Sequence, residues 1–211
     1  MDARARMVAD QIRARGVRDP RVLQAVERVP RELFLPDAQR AEAYEDRPVP
    51  IGFGQTISQP YIVAYMTEAL KVEPSHRVLE IGTGCGYQTA VLAELALEVY
   101  SIELIDVLAE RARRTLDGLG YANVQVRAGD GHAGWREQAP FDRILVAAAP
   151  PEVPPALIEQ LVDGGILVIP VGVGDQELRV LQKRGRRVDL LSTLPVRFVP
   201  MIKGSAARDG G

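Results

Sequence analysis

Two short stretches of the chain hold the residue types that could do chemistry. The first, GFGQTISQP at residues 52–60, contains the hydroxyl groups of Thr56 and Ser58 but no histidine and no carboxylate. The second, VLEIGTGCGYQTA at residues 78–90, carries three alternate glycines after an apolar run. Glycines in such a place let the backbone turn sharply and let a ligand approach without a Cβ clash. The sequence therefore predicts a ligand-binding loop, together with hydroxyl groups that have no base beside them.

The spacing of the glycine loop distinguishes between classes of cofactor. Its glycines are Gly82, Gly84 and Gly86. The dinucleotide fingerprint G-x-G-x-x-G would place its third glycine at position 87 or 89, which Tyr87 and Thr89 occupy. The pattern is instead E-x-G-x-G-x-G, with Glu80 inside the preceding apolar run. This spacing disfavours a nicotinamide-dependent oxidoreductase.

Two more carboxylates follow at the ends of later apolar runs. Glu103 closes EVYSIE, 17 positions after Gly86 (103 − 86), and Asp130 stands between two glycines after VQVRA. A carboxylate in the position of Glu103 can accept hydrogen bonds from both hydroxyl groups of a ribose. The simpler alternatives are a surface glutamate at a strand end and an aspartate in a turn. Because ligands bind outside the carboxyl ends of strands in open α/β sheets, we expect both carboxylates at the ligand site.

A regular alternation of apolar patterns predicts the elements that would position these residues. Strands are predicted at 77–82, 98–103, 124–129, 141–149 and 164–172, and helices at 60–71, 86–96, 105–119 and 154–161. Such alternation indicates βαβ units and a mostly parallel sheet. The third and fifth strands are nearly continuous apolar runs, which is typical of strands covered on both faces. The predicted fold class is α/β, with a three-layer, doubly wound, Rossmann-like sheet.

Segments of different character flank this core. Helices are predicted at 3–15 and 19–30, a short helix around 37–43 within an irregular, proline-rich stretch at 31–59, and an antiparallel pair of strands at 177–185 and 186–199. We expect a single domain over residues 1–211. It would consist of an N-terminal helical cap with the substrate loop (1–59), a cofactor-binding core (60–203) and a tail (204–211) whose composition predicts disorder.

The composition limits the partners that this chain can have. With 26 Lys and Arg against 28 Asp and Glu, the net charge is −2, which does not suggest nucleic-acid binding. No apolar run approaches the roughly 20 residues that cross a bilayer, and the charged N-terminus is not a secretory signal. His76, His132 and the single cysteine, Cys85, are too dispersed to predict a metal site. We expect a cytoplasmic monomer without metal.

Several motifs together resemble one family of enzymes. The E-x-G-x-G-x-G loop resembles motif I of the class I S-adenosylmethionine-dependent methyltransferases. Four more stretches are similar to one narrower family, the protein-L-isoaspartate O-methyltransferases: GQTISQPYIVAYMTEAL, FDRILVAAAP, LVDGGILVIPVG and the closing VRFVPM. It extends from about residue 7 to residue 203. It is specific because the T-I-S-Q-P and R-F-V-P elements lie outside the general methyltransferase core.

The resemblance implies an activity and an acceptor site. The family transfers a methyl group from S-adenosylmethionine to the free α-carboxylate of L-isoaspartyl residues in damaged proteins and peptides, which starts their repair to aspartate through a succinimide. A carboxylate has a pKa of about 4, so it is already an ionised nucleophile at neutral pH and needs no base. By resemblance Ser58 is the catalytic residue, and Thr56 helps to shape the same pocket. The small side chains at Ala148 and Ala149 leave room for a substrate backbone, so we expect backbone groups of this segment to bind the substrate.

The resemblance also implies which residues bind the cofactor. The glycine loop would pass the methionine and ribose parts, Glu103 would bind the ribose, and Asp130 would accept a hydrogen bond from the adenine amino group. The complete predicted set is Glu80, Gly82, Thr83, Gly84, Gly86, Glu103, Leu104, Asp130 and Gly131. The segment Val199–Met201 resembles the closing motif of the family, and we expect it to fold back over the cofactor side.

Other interpretations of the same residues stay open at this point. A class I methyltransferase could act on another small-molecule or macromolecular acceptor, and a module that only binds the cofactor would be expected to have lost Ser58 or the glycine loop. Ser58 could instead cap the helix that begins at Pro60. The alanines at 147–149 could form an ordinary tight strand end, and His132 could be a surface residue.

Overall fold

The structure, a computed structural model, describes residues 2–204 and contains one seven-stranded sheet and a separate two-stranded hairpin. The strands are β1 (Val49–Gly52), β2 (Gln55–Ile57), β3 (Arg77–Ile81), β4 (Glu98–Glu103), β5 (Val124–Ala128), β6 (Phe141–Val146), β7 (Leu161–Val171), β8 (Gln176–Arg184) and β9 (Arg187–Val196). The large sheet has the order β5-β4-β3-β6-β7-β8-β9. Its first five strands pair in parallel, and β8 and β9 add an antiparallel hairpin, as predicted.

Helices cover both faces of this sheet. They are α1 (Ala3–Arg6), α2 (Pro20–Arg28), α3 (Pro60–Leu70), α4 (Tyr87–Ala93), α5 (Asp106–Gly118) and α6 (Pro155–Glu159). Successive residues of β3 point to opposite faces, because Val78 packs in a cluster with Leu70 of α3 while Leu79 packs in a cluster with Leu157 of α6. Burial of β3 on both faces produces three layers, so the predicted fold class is confirmed.

The sheet reverses its direction of winding at β3. From β3 the chain first adds β4 and then β5 on one side, and afterwards adds β6 and β7 on the other. The loops after β3 and β6 therefore diverge to opposite faces, which opens a crevice at the carboxyl ends of these strands. Such a crevice is the usual ligand site of open α/β sheets.

The N-terminal segment is helical but departs from the prediction in detail. The predicted helix at 3–15 consists of α1, a π-helical stretch (Met7–Ile12) and a short 3-10 turn (Arg13–Arg15), and it ends at Gly16 with a φ of +102°. The stretch at 31–59 was predicted to be irregular, and this was wrong for residues 49–57. There β1 and β2 form a hairpin that buries Val49, Ile51 and Ile57.

The third strand of the core was predicted at the right place, but its predicted burial on both faces was wrong. VQVRA forms β5 at the edge of the sheet, where it pairs only with β4, and its residues are partly or fully exposed. A run of apolar residues does not show whether a strand lies at the centre or at the edge, because that depends on the order of the strands. Of the predicted tail at 204–211, only Gly204 belongs to the described residues. None of the helices between residues 2 and 204 has the length and apolar character that crossing a membrane requires.

A buried carboxylate connects three elements of the core. Glu80 on β3 is fully buried, and its Oε2 accepts hydrogen bonds of 2.5 Å from the hydroxyl groups of Thr89 on α4 and Ser101 on β4. The Ser101 hydroxyl also lies 2.6 Å from the Thr83 hydroxyl in the glycine loop. Within residues 2–204 the other oxygen of Glu80 has no hydrogen-bond partner. Burial raises the pKa of Glu80 to about 7, although the two hydroxyl groups lower it.

Replacing this carboxylate should change how stability depends on pH. The folded-state pKa is about 7, against 4.5 for an unperturbed glutamate. Between these two pH values, the folded chain keeps a proton on Glu80 that the unfolded chain has released. This contribution to stability is complete below the unfolded pKa and is lost as the pH rises through the folded pKa. Between about pH 5 and pH 8, we expect the Tm of the native chain, measured by calorimetry, to fall relative to that of Glu80→Gln.

The exposed Glu152 provides a matched control. Glu152→Gln makes the same chemical change at the surface, so its Tm should follow that of the native chain at every pH. A constant difference in Tm between Glu80→Gln and the native chain across this range would contradict the prediction.

Candidate active site

A cleft lies at the carboxyl ends of β3 and β4, where ligands bind in open α/β sheets. The glycine loop after β3 and the start of α4 form one wall, while the hairpin β1–β2 and α3 contribute another. The lining residues are Gln55, Thr56, Ile57, Ser58, Val63, Met66, Ile81, Gly82, Thr83, Gly84, Cys85, Tyr87, Gln88, Ile102, Glu103, Leu104, Ile105, Gly131, Ala147, Ala148, Val199, Pro200, Met201 and Ile202. This set brings together most of the residues that the sequence predicted.

The glycine loop lies against the wall of the cleft in a conformation that favours glycine. Gly82 has a φ of +92° and Gly84 a φ of +56°, which side chains rarely adopt. The Gly82 amide donates to the Ile102 carbonyl at 2.8 Å, so the loop remains attached to β4. A Cβ atom on Gly84 would lie 3.4 Å from Ile51 of β1, so the hairpin packs directly on the loop.

Glu103 presents an oriented carboxylate to the cleft. It is nearly buried, and its two oxygens accept hydrogen bonds from the Gly84 amide at 2.8 Å and the Ile105 amide at 3.0 Å. A carboxylate has about four acceptor positions, so each oxygen can accept one more donor. Glu103 therefore fits the ribose role that the sequence predicted, and Leu104 lines the cleft beside it.

Asp130 is not among the residues that line the cleft, although its neighbour Gly131 is. Its carboxylate accepts hydrogen bonds from the His132 amide at 2.9 Å, from the His132 ring nitrogen Nδ1 at 2.8 Å and from the Gly204 amide at 3.1 Å. Burial raises the pKa of Asp130, but the hydrogen bonds and charge of His132, together with the hydrogen bond from the Gly204 amide, bring the pKa below its usual value. These contacts fix the carboxylate, and its contact with an adenine amino group stays a prediction.

Three other predicted residues do not line the cleft. Glu80 is buried beneath the glycine loop, so it supports the loop through Thr83, Thr89 and Ser101. Gly86 lies where α4 meets α5, because a Cβ atom there would be 3.2 Å from Leu116. The third residue, Ala149, is buried.

The closing segment after β9 supplies residues that the sequence did not place in the site. The Ala149 amide donates to the Val199 carbonyl, and the Met201 amide donates to the Ala149 carbonyl, both at 2.8 Å. The segment therefore adds a short parallel bridge next to the end of β6, with Met201 facing the cleft. Its return to the cofactor side was predicted. The contributions of Val63 and Met66 on α3 were not, because an amphipathic helix does not show which core it covers.

Thr56 and Ser58 lie where the cleft meets a second, wider groove. This groove is lined by Arg15, Pro48, Thr56, Ser58, Gln59, Tyr61, Ile62, Ala147, Leu194, Pro195, Val196, Arg197, Phe198 and Val199. Gln59 occupies the N-cap position of α3, and within residues 2–204 no side chain makes a capping hydrogen bond to that helix. The alternative that Ser58 is a capping residue therefore has no support, and its side chain lies at the junction of the two cavities.

The charges in the site are few. Among residues 2–204, Glu103 is the one ionisable carboxylate that lines the cleft, and no histidine, lysine or arginine lines it. Within the same residues, no group of three or more His, Cys, Asp or Glu side chains could hold a metal ion. Burial raises the pKa of the Cys85 thiol to about 11, so this lining cysteine stays protonated. In the cleft Glu103 can accept ribose hydroxyls, and the basic side chains nearest the junction, Arg15 and Arg197, belong to the wider groove.

Filling the space at Gly131 should weaken ligand binding in the cleft. An added Cβ atom would lie 2.2 Å from Cγ2 of Ile81, so it would push that side chain into the cleft. We expect Gly131→Ala to raise the dissociation constant for S-adenosylmethionine at least roughly tenfold, measured by titration calorimetry.

Gly118 on α5 is the control position. A Cβ atom there meets nothing within 4 Å, so Gly118→Ala should bind S-adenosylmethionine as the native chain does. Equal affinity of Gly131→Ala and Gly118→Ala would show that the contact with Ile81 does not shape the ligand site.

Comparisons with known proteins agree with this geometry. The model of the family described as Protein-L-isoaspartate(D-aspartate) O-methyltransferase (PCMT) matches residues 3–206. A protein-L-isoaspartate O-methyltransferase from Picosynechococcus is 56% identical over 198 residues, which cover 94% of this chain and 89% of that protein. Its counterpart from Serratia proteamaculans is 52% identical over 207 residues, covering 98% of this chain and 100% of that protein.

A solved structure supports the same assignment. This protein-L-isoaspartate O-methyltransferase superimposes with a TM-score of 0.86 at 30% identity, over 93% of this chain and 65% of that longer chain. The matches include the cap that carries Thr56 and Ser58, and therefore extend well beyond the sheet that methyltransferases share. They confirm the expected class I methyltransferase fold and, through the family, the expected cofactor, S-adenosylmethionine. The chain belongs to the protein-L-isoaspartate (D-aspartate) O-methyltransferase family.

Proposed function

We propose that this chain transfers a methyl group from S-adenosylmethionine to the free α-carboxylate of L-isoaspartyl residues in proteins and peptides. The observation that carries the proposal is the position of Ser58, which lines both the cleft and the wider groove. An acceptor in the groove and a cofactor in the cleft would meet at this residue. Neither cavity alone would bring the two reactants together.

The cleft has groups that suit the cofactor. The glycine loop leaves room for a close approach, Glu103 can accept the ribose hydroxyls, and Ile102 and Met201 provide apolar surface. Bound S-adenosylmethionine supplies a methyl group activated by its sulfonium charge. We propose Gly82, Thr83, Gly84, Leu104 and Gly131 as further contacts, with Glu80 and Gly86 acting through the loop that they support.

The junction of cleft and groove presents the neutral hydroxyl residues Thr56 and Ser58, while the wider groove is also lined by two arginines, Arg15 and Arg197. A neutral junction suits a carboxylate nucleophile. The carboxylate is ionised at neutral pH and needs no base. A cation in contact with it would stabilise the separated charges more than the transition state, in which the charges of donor and acceptor cancel. A hydroxyl group can donate a hydrogen bond and orient the carboxylate without this penalty. We assign this role to Ser58, with Thr56 beside it.

The wider groove is suited to a polypeptide on either side of the reacting residue. It is bounded by Tyr61 and Ile62 of α3 on one side and by the segment 194–199 on the other. Ala147 lies at the junction of groove and cleft, and the neighbouring Ala148 lines the cleft. Their small side chains leave space for a peptide backbone near Ser58. Ala149 acts indirectly by holding the closing segment.

Methylation of paired synthetic peptides tests the acceptor. The two peptides are identical except that one contains L-isoaspartate and the other L-aspartate. With labelled S-adenosylmethionine, we expect base-labile label on the isoaspartyl peptide alone. Cofactor binding without transfer to either peptide would overturn this acceptor and favour a class I methyltransferase with another one. The expected monomeric state, cytoplasmic location and absence of nucleic-acid binding remain separate predictions.

Removing the hydroxyl of Ser58 should slow the transfer. A hydrogen bond to a charged group contributes about 1.5–3 kcal/mol, so Ser58→Ala should lower kcat for the isoaspartyl peptide by a factor of roughly ten to a hundred. The affinity for S-adenosylmethionine, measured by titration calorimetry, should stay within about threefold, or 0.7 kcal/mol.

Ser192 on the exposed edge strand β9 provides the matched serine. Ser192→Ala should keep the native kcat. If Ser58→Ala also kept it, the proposed role of the hydroxyl would be wrong even if the peptide test succeeded.

A further inference from the structure

Arg31 is a fully buried arginine next to the candidate active site. It begins the short 3-10 turn Arg31–Phe34, and its side chain has no exposed surface. Its Nε donates to the Ala43 carbonyl at 2.6 Å, and its Nη2 donates to the Ser58 carbonyl at 2.7 Å. Thus the side chain connects the N-terminal cap to the backbone of the proposed catalytic residue.

This guanidinium is buried without a counter-ion. Within residues 2–204 no carboxylate lies within salt-bridge distance of Arg31, and its Nη1 has no hydrogen-bond partner. Burying a cation in this way is costly, and an apolar side chain of similar length would avoid the cost. Stability alone therefore does not explain an arginine at this position.

A third contact leads from Arg31 to the glycine loop. The guanidinium carbon lies 4.8 Å from the ring centroid of Tyr87, the first residue of α4. Tyr87 follows Gly86 directly, lines the cleft and also packs edge-to-face on Phe34 at 5.7 Å. One rigid group therefore contacts Ser58 on the acceptor side and the end of the glycine loop on the donor side.

We propose that Arg31 is a positioning residue that fixes the distance between Ser58 and the glycine loop. This inference rests on the proposed function, in which Ser58 orients the acceptor and the loop holds the methyl donor. An in-line transfer depends strongly on the alignment of the two reactants, so a small displacement lowers the rate more than the binding. The planar guanidinium can donate in two fixed directions and stack on a ring at once, whereas a lysine ammonium has no such face.

The test compares Arg31→Met and Arg31→Lys with the native chain. Arg31→Met keeps a long side chain but removes both hydrogen-bond donors. Arg31→Lys keeps the positive charge but lacks the planar guanidinium with its two fixed donor directions. We expect both to lower kcat for the isoaspartyl peptide roughly tenfold or more, while KM and the dissociation constant of S-adenosylmethionine stay within about threefold. Arg28→Met, at an exposed arginine of α2 that pairs with Glu94, should keep the native kcat.

Chemical rescue separates positioning from a general structural effect. In Arg31→Ala, guanidinium ion can enter the space left by the side chain, so millimolar guanidinium chloride should restore part of kcat, whereas the same concentration of sodium chloride should not. Three results would overturn the proposal. They are a fall in kcat that only follows a fall in Tm, a loss of cofactor affinity as large as the loss of kcat, and the absence of rescue.

Amide hydrogen exchange tests the role of Arg31 without any methyl acceptor. Losing the bond from Arg31 to the Ser58 carbonyl should speed amide exchange in residues 55–59 of Arg31→Met, with unchanged exchange in β6. If the native chain does not methylate the isoaspartyl peptide, the proposed function fails, and the exchange result still tests the role of Arg31. Unchanged exchange at 55–59 would overturn that role whatever the acceptor.

Discussion

The carboxylate of Glu80 is the interaction on which the site depends. A buried carboxylate must have hydrogen-bond partners, and Glu80 obtains them from Ser101 on β4 and Thr89 on α4. The two hydrogen bonds to its Oε2 therefore fix β3, β4 and α4 relative to one another. The glycine loop runs from the end of β3 to the start of α4, so both of its ends are set by the same contact. Glu103 follows Ser101 on β4, which fixes its carboxylate at the loop.

The two reactants are held by parts of the chain with different origins. The donor side comes from the carboxyl ends of parallel strands, where topology alone opens a crevice. The acceptor side comes from the N-terminal cap, whose hairpin β1–β2 packs on the glycine loop through Ile51. Their relative position is not set by the sheet, because the cap does not belong to it. The contacts of Arg31 with Ser58 and Tyr87 cross this boundary, and this explains why a buried cation would be retained there.

The sequence was sufficient to locate the glycine loop and Glu103 because this information is local. The spacing of Gly82, Gly84 and Gly86 and the place of Glu103 depend on one strand, one turn and the next strand. The sequence did not show that Glu80, Gly86 and Asp130 lie outside the cleft lining. The hairpin of the cap was harder to predict from the sequence, because Val49, Ile51 and Ile57 form it only when a core is available to bury them. Distant pairings were not predictable either. Nothing local indicates that the Ala149 backbone pairs with Val199 and Met201, or that β5 lies at the edge of the sheet.

The neutral junction of cleft and groove also bears on how such an enzyme could select its substrate, since the arginines of the wider groove, Arg15 and Arg197, cannot discriminate by charge. Aspartate and isoaspartate carry the same charge and differ by one methylene moved into the main chain, so a cation would attract both equally. Discrimination must then come from the direction in which the backbone leaves the reacting carboxylate. Here the backbone would pass Ala147 and Ala148 on one side and Ser58 on the other, with little side-chain volume to adapt. Under this reading, selectivity and rate depend on the same quantity, the fixed distance between Ser58 and the glycine loop.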